Sequence, residues 1–174
     1  MTRVLVMLML LLALAGGAAA RSDAAGGTAS LTTLEAAIVG ELNATRVARG
    51  LRPLAISRGL HAAARAHSRA MLASGAFRHN SPDGTGFAER LRRFYPSRGF
   101  DSWSVGENLL FSTEELTAAQ AIAAWLDSPS HRRNMLSTAW RELGVGVWRA
   151  AAAPGDFQGA DASVVTVDFG SRKR

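Results

Sequence analysis

Apolar residues recur at helical spacing through most of this chain, and the period shortens in its last third. In Leu31–Ala48, the residues Leu34, Ile38 and Leu42 form one stripe, and Thr32 with Glu35 three residues later has the form of a capping box. Gly50 and Pro53 end that helix and keep the connection extended. Ser57 is placed to cap a second helix reaching Ala73, with Leu60, Ala64, His67 and Met71 on one face and Gly75 as its stop. The segment "HNSPDGTG" from His79 reads as a turn-rich loop, followed by a short basic helix over Phe87–Phe94. Residues Tyr95–Val105, with Pro96 and Gly99, read as irregular. A fourth helix is expected over Glu114–Leu126, carrying Leu116, Ala119, Ile122 and Ala123, with Trp125 near its end. In "WLDSPSHRRNML" the helix stops, turns over Ser128-Pro129 and restarts, which puts His131 in the first turn of a new short helix.

The period then changes. "ELGVGVWRA" alternates Leu143, Val145 and Val147 with Gly144, Gly146 and Trp148, and "SVVTVDFG" is rich in β-formers. Two strands, antiparallel neighbours joined by the long connection "AAAPGDFQGADA", follow from this pattern. Helices first and strands later make an α+β domain. A length of 174 residues suits one such domain. The chain divides into an expected signal peptide over 1–20, a small-residue N-terminus over 21–30, a domain over 31–170 and a basic tail over 171–174. Arg3, the apolar run Val4–Ala15 and Ala18-Ala19-Ala20 carry the signal-peptide reading, with Arg21 as the expected mature start. The apolar run is short for a membrane span, so an exported, cleaved protein is expected, periplasmic or extracellular.

There is no cysteine, which excludes disulfides, thiolate nucleophiles and Cys-based zinc sites. The formal net charge is +6 and is almost entirely arginine, spread through the chain as in Arg65/Arg69, Arg92/Arg93 and Arg132/Arg133. That spread reads as solvated helix faces, with some attraction to anionic envelope surfaces, and not as a nucleic-acid-binding pattern.

The four histidines divide into two kinds. His61 and His67 share a helix but stand about 600° of rotation apart, so no helix-face metal pair forms. His67, on the apolar stripe, is expected to be a core residue bonded to backbone, and His61 to be exposed. His79 and His131 instead border turns. The end of a helix dipole is expected to lower the pKa of His131 and leave a neutral imidazole, able to act as ligand or base. Glu107, in the apolar stretch "SVGENLLF", needs a cation, several N–H donors or a metal as partner.

These runs also carry a resemblance. "LNATRVARGLRPL", "AHSRAMLASGAFRHNSPDG", "VGENLLF", "WLDSPSHRRNML", "WRELGVGV" and "VTVDFG" resemble, in order, the CAP superfamily of cysteine-rich secretory proteins, antigen 5 and pathogenesis-related 1 proteins, in its small bacterial secreted form. The resemblance implies an α-β-α sandwich with a small antiparallel sheet between helical layers. It also implies a cleft lined by His79, Glu107 and His131, which in some members holds a divalent cation such as zinc. Asn108 and Ser128 are the expected supporting residues. Eukaryotic members carry a second glutamate three residues after the helix tryptophan; Ser128 stands there in this chain, with Asp127 adjacent, so the acidic set is incomplete.

Three functions compete. The first, favoured by the resemblance, is a non-enzymatic binding module for a lipid, a sterol or an envelope component, without nucleic acid. The second is a zinc-dependent hydrolase using His79, Glu107 and His131. The third is an envelope protein in which these residues only brace the cleft. Ser81, Ser128 and Ser130 lie near the histidines in sequence, but turns and caps account for them.

Overall fold

The structure, a computed structural model, describes residues 31–174. The expected signal peptide and the segment over 21–30 lie outside the described residues.

Five helices and four strands follow one another as α1 (Thr33–Val47), β1 (Ala55–Ile56), α2 (Arg58–Ser74), α3 (Phe87–Phe94), β2 (Ser102–Ser112), α4 (Ala118–Asp127), α5 (Pro129–Met135), β3 (Glu142–Ala150) and β4 (Ala162–Lys173). The sheet order is β1-β3-β4-β2. β4 pairs antiparallel with both β2 and β3, as expected for β3, while the two-residue β1 runs parallel to β3. α2 and α3 cover one face; α1, α4 and α5 cover the other, over a core of Ile38, Leu42, Ile122, Trp125, Met135, Val165, Val167 and Phe169. This is an α+β domain with a sheet between two helical layers.

Local signals set most boundaries. α1 starts in a capping box: Thr32 N–H donates to Glu35 Oε2 at 2.8 Å and Glu35 N–H to Thr32 Oγ1 at 3.3 Å. The same glutamate is fully buried and accepts the N–H of Val147 from β3, tying helix to sheet. α2 ends where Gly75 takes φ 72°, a left-handed cap.

Four expectations are corrected. The stretch read as irregular contains the start of β2, which continues through "SVGENLLF" to Ser112. Its middle, Gly106–Leu109, is buried on both faces, so no alternation marked it as a strand. α4 begins at Ala118, not Glu114, because a second capping box, Thr117 with Gln120, sets its start. β4 takes in Ser171–Lys173, so the basic tail is part of the sheet. His61 is buried, 5% exposed, with its Nδ1–H donating to the Val145 carbonyl.

His61 is buried because α2 lies directly on β3. Gly144 and Gly146 face the helix, and a Cβ on either would stand 2.1 Å from backbone nitrogen of His61 or Arg65. The alternation of "ELGVGVWRA" is therefore apolar against the α1/α4 layer, while on the α2 face Gly144 and Gly146 make room for the helix and Trp148 meets its Arg65 and Arg69.

Candidate functional site

β2 is an edge strand, and its two faces serve two halves of the site. Glu107 pairs across the ladder with Asp168 of β4, and both side chains enter the α2/α3 layer. Asn108, the next residue, faces the α5 layer. The strand's two-residue period thus separates the carboxylate from its supporting amide.

Glu107 is 7% exposed and both its oxygens are engaged. Oε1 accepts from His79 Nδ1–H at 2.8 Å, and Oε2 accepts from the Arg90 guanidinium. His67 Nε2 is 3.9 Å from Oε2. Burial alone would raise the pKa of Glu107, but the His79 hydrogen bond and the Arg90 charge outweigh it and hold it below the usual carboxylate range. Arg90 also donates to the His79 carbonyl at 3.3 Å, fixing the loop that carries that histidine. The cation that Glu107 needs is therefore Arg90.

Asp168 is fully buried, 4.0 Å from Arg90 Nη1, and neither of its oxygens has a hydrogen-bond partner among the described residues. Burial and the charge of Glu107 raise its pKa well above the ordinary value, against the smaller opposite pull of Arg90. One guanidinium thus faces one carboxylate and one carboxyl held towards its neutral form. Because its folded pKa lies above the unfolded one, Asp168 costs stability increasingly as pH rises through the unfolded value, and Asp168→Asn should remove that part of the pH dependence of urea denaturation.

His67 is buried as expected and donates Nε2–H to the Arg78 carbonyl at 3.0 Å. It is also a neighbour of Glu107, which its place on the apolar stripe did not reveal. Burial lowers its pKa to about 4, the attraction of Glu107 offsetting only part of that. Because the folded value lies below the unfolded one, near 6.5, the unfolded chain binds the extra proton first; the His67 contribution to stability is full above pH 6.5 and declines as pH falls towards 4. An NMR titration should show the His67 ring protons without a titration step until about pH 4, against about 6.5 for an imidazole in an unstructured peptide.

His79 keeps about half its side-chain surface exposed and packs against Phe87, ring centres 6.3 Å apart. With Nδ1–H given to Glu107, Nε2 is the ring nitrogen left for another partner. His131 stands at the third position of α5, and its carbonyl accepts from Asn108 Nδ2 at 3.1 Å. Asn134 Nδ2 donates to Asn108 Oδ1 at 2.9 Å and to the Glu107 carbonyl at 3.1 Å, so the two asparagines lock α5 onto β2. Burial, then the nearby charge of His79, lowers the pKa of His131. The expected direction of shift is present, with burial as its largest cause. Ser128 occupies the cap position without a side-chain capping bond; its hydroxyl meets Ser130 Oγ at 3.3 Å. Hydrogen bonds among the described residues link no serine hydroxyl to His79 or His131.

A zinc ion held by His79, Glu107 and His131 together does not fit this arrangement. Both Glu107 oxygens are committed, one to a guanidinium, and among the described residues no three His, Asp or Glu side chains are grouped to hold a metal. The donors left facing outward are imidazole nitrogens. Arg90 and Asp168 are the site residues that the sequence did not disclose. Arg90 stood in the run "FAERLRRF" and read as solvent-facing charge; Asp168 stood as the one acid in "SVVTVDFG", the only hint of a buried partner.

Comparison with known proteins agrees with this architecture. The model of the cysteine-rich secretory protein family, CAP, matches residues 39–168. The protein YkwD of Bacillus subtilis (strain 168) is 32% identical over 117 residues, covering 67% of this chain and 43% of the relative. The crystal structure of an extracellular protein containing a SCP domain from Bacillus anthracis superposes with a TM-score of 0.60 at 27% identity, over 79% of this chain and 39% of that one. An outer surface protein from Borrelia burgdorferi has the same fold, with a TM-score of 0.59 at 24% identity, over 78% of this chain and 90% of that one. The chain thus spans less than half the length of the first two. With the motifs, the layered fold and the family model in agreement, the chain belongs to the cysteine-rich secretory protein (CAP) family.

Proposed function

We propose that this protein is an exported, non-enzymatic binding module whose recognition site is the cleft bordered by His79 and His131, with Glu107 as its fixed brace. One observation carries the reading: Glu107 is spent on Arg90 and His79, so the carboxylate orients an imidazole and is not free to activate water or complete a metal site. His79 then offers a ring nitrogen of fixed direction beside a second imidazole whose pKa is lowered. Such a pair suits hydrogen-bonding to hydroxyl or N–H groups of an envelope component, lipid or sterol. The absence of a serine bonded to either histidine among the described residues also weighs against acyl-transfer chemistry. Export is supported by the N-terminal leader pattern and by the extracellular description of the Bacillus anthracis relative. No helix among the described residues is long and apolar enough to cross a membrane.

A second reading, a zinc-dependent hydrolase, retains one supporting observation: two imidazoles border the same site, one of them with a lowered pKa, and imidazole is a good zinc donor. Titration calorimetry with zinc at neutral pH, beside a His79→Ala/His131→Ala variant, separates the two. Heats indistinguishable from those of the variant support the binding module. Tight one-to-one binding that the variant loses supports the hydrolase.

A further inference from the structure

The arginines are not all solvated. At the end of the sheet where β2 begins and β4 finishes, they stack on aromatic rings. Trp103 of β2 and Arg172 of β4 are ladder partners on one face. Arg172 lies over Tyr95 at 3.8 Å and Phe100 at 4.6 Å; Arg174 lies over Phe100 at 5.3 Å, and Arg92 of α3 over Trp103 at 4.7 Å. Trp103 Nε1–H is itself anchored on the Tyr95 carbonyl at 2.7 Å. Arg98 is exposed in the loop between Tyr95 and Phe100.

We propose that this arginine–aromatic face is a docking surface for an anionic phospholipid bilayer, bordering the cluster around Glu107. A guanidinium laid over a ring keeps its edge N–H groups free for phosphate oxygens and has lost part of the mobility that binding would otherwise remove. Arg92, Arg98 and Arg174 have no carboxylate at ion-pair distance among the described residues; Arg172 alone is partly neutralised, by Glu142 at 3.7 Å. Charge complementarity selects an anionic partner.

The apolar neighbours select a bilayer over a soluble polyanion. Phe94, at the end of α3, is 39% exposed. Beside it lies a cavity of about 360 Å³ whose apolar wall is Ala66, Ala70, Pro82 and Phe94, with Arg93, Asp83, Ser81 and the site residues His67 and Arg90 also lining it. A soluble polyanion would leave that apolar wall in water. A lipid headgroup with its upper acyl carbons satisfies guanidinium and wall together, as interfacial aromatic and arginine side chains do.

The test is co-sedimentation of the protein, recovered after export, with vesicles of phosphatidylcholine alone or with roughly a third phosphatidylglycerol. Binding is expected only to the anionic vesicles, and to weaken at least tenfold in Arg92→Gln/Arg98→Gln/Arg174→Gln, since each surface arginine contributes on the order of 1 kcal/mol, about fivefold. A matched variant, Arg49→Gln/Arg52→Gln/Arg149→Gln, removes equal charge elsewhere and should weaken binding far less. Phe94→Ser should lower it several-fold with all charges kept. Unchanged near-ultraviolet circular dichroism of each variant shows that the fold persists. Equal loss in the two triple variants, equal binding to both vesicle types, or full displacement by soluble polyphosphate with no effect of Phe94→Ser would each overturn the proposal.

Discussion

Gly146→Ala is expected to abolish folding or to cost at least ~3–5 kcal/mol, the largest effect of any single methyl group added to this domain. The added Cβ would stand 2.1 Å from the Arg65 nitrogen and 2.2 Å from the Ala64 carbonyl carbon, both backbone atoms of α2. No rotamer change relieves a clash with backbone; the helix must lift from the sheet. Lifting α2 would expose Leu60, Ala64 and Met71, and would break the bonds from Ser68 Oγ to the Gly146 carbonyl and Thr166. Gly144→Ala meets the backbone of His61 and should behave alike. Gly40→Ala is the control. A Cβ there has nothing within 4 Å, the site is an exposed position of α1, and alanine should add ~0.5–1 kcal/mol. Urea denaturation of the three variants measures all of these effects. A Gly146→Ala protein with the wild-type midpoint would mean that α2 does not sit on β3 as described.

Arg90→Met carries the second largest expectation, a loss of ~3–5 kcal/mol at neutral pH. It removes the one cation facing two buried carboxyl groups, and leaves Glu107 charged beside Asp168. The deficit should shrink on acidification, because without the guanidinium the pKa of Glu107 rises and the protonated form is tolerated. Glu107→Gln alone should also destabilise, since it strands Arg90. The double variant should lose less than the sum of the singles by at least ~2 kcal/mol, the mark of a directly paired charge. Strict additivity in chemical denaturation would show that the two side chains do not meet.

The sequence disclosed those parts of the fold that short-range signals specify. Both capping boxes were written in it, and so were the Gly75 stop and the restart over Ser128-Pro129; α3 lies where its pattern placed it. The box of Thr117 with Gln120 outweighs the apolar pattern that extends back to Glu114, so α4 starts at Ala118. β2 escaped for a different reason: a strand covered on both faces has no alternation to detect, and a buried Glu107 in its centre looked like an interruption. His61 read as exposed because helix rotation separates it from His67, yet α2 is covered along a wide arc by β3, β4 and α3, a fact about glycines eighty residues away. The CAP resemblance named residues that the structure bonds to one another, His79 to Glu107 and Asn108 to the His131 carbonyl. The energetics around Glu107 were not legible, since nothing local distinguishes Arg90 from Arg92 and Arg93, or marks Asp168 as the ladder partner of Glu107. Long-range pairing decides both.

Arg90 and His79 together consume Glu107, and the His79 imidazole is thereby oriented. Long-range nitrogen–proton NMR of the histidine side chains, in the wild type and in Glu107→Gln near pH 7, measures this. His79 is expected as the Nδ1–H tautomer, with that proton shifted far downfield and the preference lost or weakened in the variant. A His79 ring found as the Nε2–H tautomer, or a tautomer unaltered by Glu107→Gln, would show that Glu107 does not orient it.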